Sequence, residues 1–422
     1  MSIRASRWSA VQRCILAGLV TACAGRTREA PHPPGGPGTT VLLISIDGFR
    51  WDYLDRGLTP NLSRLAREGV RAEALVPVFP TKTFPNHYTI VTGRYPARHG
   101  IVGNVLTAPD IGRRLSLFQP ETVRDSAFYL AEPIWVTAER QGRRTAPLFW
   151  PGSEAPVSGI RPSYALPFDG KMPDTARIGW MLERLELPAE QRPVFLTLYF
   201  DLVDNAGHRY GPDAPATDSA IVRADRLIGR VIQGLDRIGR GDVNLLVVSD
   251  HGMASTGPDR VIWLDQYLAE DAMQADEMNT LLTAWPAPGL DDSVHRALER
   301  APHLTVYRRG EIPARYRLEG PRIAPIIALA DEGWTIARRT AEDPAPGIIR
   351  GNHGYDDALP SMGAIFVARG PAFRRGVRVP AFRNIHLYPL MARVLGIDPL
   401  ASDGSLDSTQ ALLGSAPTSL SR

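Results

Sequence analysis

The sequence predicts an α/β protein built on a central, mostly parallel sheet flanked by helices. Three observations carry that expectation. Residues 41–46, 194–200 and 243–248 are continuous apolar, β-branched runs, the pattern of strands covered on both faces. Each run stops within two residues at an acid, namely Asp47, Asp201 or Asp250. An acid at the carboxyl end of a buried strand lies where open α/β sheets place their ligands.

The first 22 residues read as an address. Arg4, Arg7 and Arg13 form a basic start, residues 14–22 a short apolar core, and Val20-Thr21-Ala22-Cys23 resembles the lipobox of bacterial lipoproteins. An apolar run this short cannot span a bilayer as a helix. Cleavage before Cys23 removes 22 of the 422 residues, leaves 400, and puts a lipid on Cys23; a plain secretory signal is the alternative. Both readings export the chain, and Ala24 after the cysteine matches lipoproteins sent to the outer membrane. A bacterial periplasmic location with an outer-membrane anchor is therefore expected.

Composition narrows the class further. With 44% hydrophobic and 22% charged residues the chain is an ordinary folded protein. The formal charge of +3 falls to zero once the three leader arginines are gone, so charge gives no argument for nucleic-acid binding. The two cysteines are Cys14, in the leader, and Cys23, so the mature fold carries no disulfide. Residues 23–40, rich in proline and glycine, read as a flexible tether. A single catalytic domain is expected over 41–402, with insertions at about 105–190 and 254–350 and a loose tail over 403–422.

The elements follow in order. After the first strand, Thr59-Pro60 opens a helix that Gly69 closes, with Leu62 and Leu65 on one face. Thr83-Phe84-Pro85 then leads into a short helix over 86–93. The Thr83 hydroxyl thus sits at a helix N-terminus, where unpaired N–H groups and the macrodipole favour a phosphate and an alkoxide. Lys82 beside it is expected to face solvent. Asn104, in a turn-rich stretch, is a neutral amide able to hold a phosphoryl oxygen.

In 105–190, aromatic residues interleaved with proline and glycine suggest a wall of a substrate cleft. Asp204 and His208 follow the second buried strand four residues apart, so one helical turn puts both on one face, a common supply of two metal ligands. A helix is expected over 213–239, and the third strand ends in Ser249-Asp250-His251-Gly252. His295 and His303 read as surface residues. His353 lies between Gly351 and Gly354, which frees the backbone to bring the imidazole close to a ligand. A strand over 364–368 and a helix over 385–395 close the domain.

Collected, the polar groups at these ends are Asp47, Thr83, Asp204, His208, Asp250, His251 and His353. Oxygen and imidazole donors without thiols suit zinc, and seven groups suit two ions better than one. Two divalent ions against three carboxylates leave an excess of positive charge, which favours an ionised Thr83 and an anionic substrate, as two-metal phosphoryl transfer requires.

The segments VLLISIDGFRWDYL, PTKTFPNHYTIVTGRYPARHGIVGN, 204–212, SDHGM and GNHGYD also resemble the bacterial nucleotide pyrophosphatase/phosphodiesterase family of the alkaline phosphatase superfamily, over about 41–398. The resemblance implies an alkaline-phosphatase-like fold and two Zn2+. It implies Thr83 as covalent nucleophile, Asp47, Thr83, Asp250 and His251 on one ion, and Asp204, His208 and His353 on the other. Asn104 and a backbone N–H near Thr83 would hold the phosphoryl oxygen. Phe168 and Tyr199 would stack on a base, with Phe84 beside the nucleophile. Phe168 stands where other members carry tyrosine. The implied reaction is hydrolysis of nucleotide phosphodiester and pyrophosphate bonds, releasing nucleoside 5′-monophosphates. A phosphomonoesterase, a phosphonate hydrolase or a lipid phosphodiesterase of the same superfamily remains an alternative, as does a non-catalytic zinc-binding envelope lipoprotein. A sulfatase needs a cysteine or serine in its own activating motif, and the mature chain offers only Cys23.

Overall fold

The computed structural model describes residues 39–414 except 341, 342, 344 and 345. The leader, Cys23 and nearly all of the tether lie outside the described residues. The chain opens with β1 (Thr40–Ile46), α1 (Pro60–Glu68), β2 (Val70–Ala72) and α2 (Thr83–Thr92). It continues through β3 (Thr145–Pro147), α3 (Asp174–Leu185), β4 (Phe195–Phe200), α4 (Leu202–Tyr210), α5 (Pro215–Arg237) and β5 (Val243–Val248). A second group of strands follows: β6 (Met273–Met278), β7 (Leu281–Pro286), β8 (Leu304–Arg308) and β9 (Ile326–Ala330). The chain returns through β10 (Phe366–Arg369) and β11 (Val377–Val379) to α6 (Leu387–Leu395).

The central sheet has seven strands in the order β11-β2-β10-β5-β1-β4-β3. β1 pairs in parallel with both β4 and β5, and only β10 runs against its neighbours. The apolar run in β1 is continuous because each face has its own layer to meet. Val41 and Leu43 pack with Phe84, Tyr88, Trp135 and Leu390, whereas Leu42, Ile44 and Ile46 pack with Tyr53, Leu62, Trp180 and Ile221. Alternating side chains thus serve two helical layers.

β6 to β9 form a separate antiparallel sheet, ordered β6-β7-β9-β8, with its own core of Leu282, Ala284, Val294, Leu298 and Ile326. Residues 105–190, expected as an insertion, differ: their β3 joins the edge of the central sheet by pairing with β4, and their α3 packs in its core. The tail differs too. Asp403 is paired with Arg94 and Arg98, Leu412 is buried and Leu413 bridges Phe373, so residues 403–414 are docked on the domain. His303 is exposed, but His295 is buried beside Val294 and Leu298 on its helix.

Candidate active site

β5, β1 and β4 are neighbours running the same way, so their carboxyl ends meet at one edge of the sheet. Asp47 follows β1, and its N–H continues the ladder onto the Phe200 carbonyl at 2.9 Å. Asp250 and His251 follow β5, while Asp204 and His208 stand one turn apart on α4, which starts directly after β4. Gly48 lets these ends close up. It has φ of +67°, and a Cβ there would stand 2.9 Å from the Asp204 Cα, closer than real contacts allow.

Thr83 is the first helical residue of α2, with Lys82 as N-cap. The helix therefore begins earlier than the proline suggested, because Pro85 still falls within its first turn. The Thr83 hydroxyl lies 3.4 Å from His251 Nε2. His353 arrives from the far end of the chain, where Gly351–Asn352 pairs with Ala254–Ser255. Gly354 allows the approach, having φ of +106° and no room for a Cβ between the Lys82 side chain and the Thr280 hydroxyl.

Each of the three clustered histidines is oriented from behind. The Nδ1–H of His251 donates to Gly252 O at 2.9 Å, that of His353 to Thr81 O at 2.8 Å, and that of His208 to Gly351 O at 2.9 Å. A carbonyl only accepts, so Nδ1 carries the proton and each Nε2 turns a lone pair to the cluster. His251 Nε2 faces Asp250 Oδ2 at 2.9 Å and Asp47 Oδ1 at 3.4 Å. His208 Nε2 faces Asp204 Oδ2 at 3.3 Å, and His353 Nε2 faces Asp204 Oδ1 at 3.8 Å.

The carboxylates are divided in the same way. Asp47 Oδ2 accepts the Tyr199 hydroxyl at 2.5 Å, and Asp250 Oδ1 accepts the Ser249 hydroxyl at 3.2 Å and the Gly48 N–H at 3.4 Å. Asp47 Oδ1, Asp250 Oδ2 and Asp204 Oδ1 are buried without a hydrogen-bond partner. Buried anionic oxygens facing imidazole lone pairs are costly unless a cation lies between them. Among the described residues, two groups have donor atoms close enough to share an ion, Asp47–Asp250–His251 and Asp204–His251–His353. His251 belongs to both. His208 stands outside the tight second group, with its Nε2 by Asp204 and its ring centre 5.1 Å from that of His353.

The electrostatics agree with a cation site. Burial, then the neighbouring Asp250 and Asp204, hold the Asp47 carboxyl well above the usual range, and burial raises Asp204. Burial also acts on Asp250, but His251 and His87 pull it well below that range. Burial opposes a proton on His251, yet the Asp250 carboxylate beside it raises its pKa. The field that draws a proton to this nitrogen draws a metal ion equally.

Three sequence expectations need correction. The Tyr199 hydroxyl is engaged by Asp47 and its ring lies edge-on to His87, so it braces a carboxylate instead of stacking on a base. The Phe84 ring is fully buried toward Tyr129, and its N–H is taken up by the Asn104 side chain, not left for a phosphoryl oxygen. Lys82, expected in solvent, is buried, with Nζ on Asn279 Oδ1 at 2.5 Å. Phe168 does stand open, 48% exposed and edge-on to Phe149. The Phe84 N–H donates to Asn104 Oδ1 at 2.8 Å, which leaves the Asn104 NH2 as the donor end of that amide. His87 was missed altogether. It is fully buried, bonds the Thr83 carbonyl through Nδ1 at 2.8 Å and the Ser45 hydroxyl through Nε2 at 2.8 Å. Its spacing of four from Thr83 on a helix was the available signal.

An α/β fold with an acid and imidazole cluster beside a helix-terminal threonine defines a class of metal-dependent phosphoryl-transfer hydrolases. The family model for type I phosphodiesterase / nucleotide pyrophosphatase matches residues 41–356, and the chain belongs to that family. It is 38% identical to human ectonucleotide pyrophosphatase/phosphodiesterase family member 5 over 381 residues, 89% of this chain and 78% of that protein. It is 35% identical to the bovine bis(5′-adenosyl)-triphosphatase ENPP4, covering 94% of this chain and 86% of the relative. The structure of murine ectonucleotide pyrophosphatase/phosphodiesterase 5 superposes with a TM-score of 0.85 at 37% identity, covering 89% of this chain and all of the other. An inactive threonine-to-alanine variant of that murine protein is known in complex with AMP, again with a TM-score of 0.85. These relatives are eukaryotic, so a bacterial origin is not part of what the family membership establishes. The relatives are named as pyrophosphatases and phosphodiesterases, and this protein is a hydrolase of that kind.

Proposed function

We propose that the protein hydrolyses nucleotide phosphodiester and pyrophosphate bonds through a covalent Thr83 intermediate with two zinc ions, releasing nucleoside 5′-monophosphates. The observation that carries this reading is the set of three buried, unpartnered carboxylate oxygens facing imidazole lone pairs next to the Thr83 hydroxyl. Asp47, Thr83, Asp250 and His251 would hold one ion and Asp204, His208 and His353 the other. Imidazole nitrogens combined with carboxylate oxygens suit zinc. When bound, such ions stabilise alkoxide and leaving-group charge.

Thr83 Oγ1 attacks phosphorus, losing its proton to solvent, and the bond from phosphorus to the leaving oxygen breaks. Water then attacks the phospho-threonine diester, and Oγ1 departs and regains a proton. The positive end of α2 favours the alkoxide, and the Asn104 NH2 donates to a non-bridging oxygen. The open face of Phe168 is suited to a base. The AMP complex and the inactive threonine variant of the murine relative support a nucleotide ligand and a threonine nucleophile. We also propose export and a lipid anchor on Cys23 in a bacterial envelope.

Charge separates diesters from monoesters. A monoester brings nearly two charges and a third exposed oxygen, which demand further cationic donors. Asn104 is neutral, and the ammonium of Lys82 is engaged by Asn279. A thymidine 5′-monophosphate nitrophenyl ester should therefore exceed nitrophenyl phosphate by at least about 100-fold in kcat/KM, roughly 2.7 kcal/mol of transition-state discrimination. Equal rates, or a preference for the monoester, would favour a phosphatase with Lys82 as its extra donor.

A further inference from the structure

The antiparallel sheet of β6 to β9 reaches the active site through the end of β6 and the turn that follows it, residues 277–280. Glu277 Oε1 accepts the backbone N–H of Asn104 at 2.7 Å and that of Val105 at 3.0 Å. Glu277 is buried, 7% exposed, and its own N–H is fixed on the Thr283 hydroxyl at 2.9 Å. Next to it, Asn279 Oδ1 takes the Lys82 ammonium, and the Thr280 hydroxyl donates to the His353 carbonyl at 2.7 Å. Asn104 itself stands in a loop, not in a helix or strand. It is held at three points: its N–H by Glu277, its C=O by the Leu117 N–H at 2.8 Å, and its Oδ1 by the Phe84 N–H.

We propose that Glu277, carried by the second sheet, is a positioning residue for phosphoryl transfer, fixing the Asn104 backbone so that the Asn104 NH2 meets the phosphoryl oxygen. The inference rests on the diesterase reading above. A carboxylate accepting two adjacent N–H groups makes strong, charge-assisted bonds and sets the plane of the loop. Without it Asn104 keeps its ties to Leu117 and Phe84 but loses the one on its N–H, and an amide displaced by about 1 Å loses much of its effect on the transition state. Both bonds fall on a single oxygen, so an amide carbonyl in the same place can accept both.

The test uses the whole enzyme on a nitrophenyl nucleotide diester, with folding and metal content measured for every variant. Glu277→Ala should lower kcat by about 10- to 50-fold with KM changed less than about threefold. Glu277→Gln should keep at least about a third of wild-type kcat. In an Asn104→Ala background, Glu277→Ala should cost less than about a further twofold, because the group it positions is gone. Should Glu277→Ala fail to fold, Glu277→Met keeps the volume, removes the acceptors and should behave as expected for alanine. Full kcat in the alanine or methionine variant, no rescue by glutamine, or independent losses in the Asn104→Ala background would each overturn the proposal. A wild-type enzyme inactive on the diester would instead sink the functional reading on which it rests.

Discussion

Asp47 has one oxygen held by the Tyr199 hydroxyl and the other turned to His251 without a hydrogen bond. Burial pushes this carboxyl well up, and the Tyr199 hydrogen bond is the contact that counters it most directly. Tyr199→Phe should leave the fold intact and weaken metal binding about 10- to 100-fold, read by competition with a chelator of known affinity. Unchanged affinity would mean that the phenol only fills space. Thr83 is a different kind of residue, since it contributes a reacting atom and its loss removes one donor among several. Thr83→Ala and Thr83→Val should each lose more than about nine-tenths of turnover, at least ~1.4 kcal/mol, while keeping the fold and most of the metal. A variant that still turned over faster than that would remove Thr83 from the nucleophile's role.

At the scale of elements, α2 is held from behind by a histidine that takes no part in the chemistry. His99 is fully buried at the end of the short helix Pro96–His99. Its Nδ1 accepts the Ile101 N–H at 3.2 Å, and its Nε2 lies 3.0 Å from the Thr89 hydroxyl on α2. Burial lowers its pKa from 6.5 to about 3. Between those values the unfolded chain binds a proton that the folded protein refuses, so this contribution is complete above pH 6.5 and is lost as pH falls toward 3. One proton gives a slope of about 1.4 kcal/mol per pH unit. Urea midpoints of His99→Gln should therefore depend on pH less steeply than those of the wild type between pH 4 and 6.5; parallel curves would contradict the assignment. Elements were legible where the pattern was local. β1 and β5 announce themselves as apolar runs, and the acids that follow them fall in the cluster because parallel neighbours end together. What depended on distant partners was not legible. Lys82 gives no local sign that Asn279 will cover it, nor does Asp403 that Arg94 and Arg98 will dock the tail. The base-stacking role expected of Tyr199 came with the family resemblance, and nothing in its sequence neighbours points to Asp47.

For the whole molecule, the proposed anchor predicts where the activity is found. Cys23→Ser should move it from the detergent-soluble membrane fraction to the soluble one, and the native chain should show the mass of an attached lipid. Identical fractionation of variant and wild type, with no added mass, would leave a plain secreted enzyme. Chain order in the central sheet has a consequence of another kind. Val41 in β1 lies opposite Phe195 on one side and Asn244 on the other, partners that are synthesised 154 and 203 residues later. Until a ribosome has passed Val248, this fully buried central strand has at least one bare edge, and pairings this distant are slow to form. The nascent chain is thus a long-lived client for whatever keeps unfolded polypeptides from aggregating, and fragments ending before β5 should be recovered as aggregates.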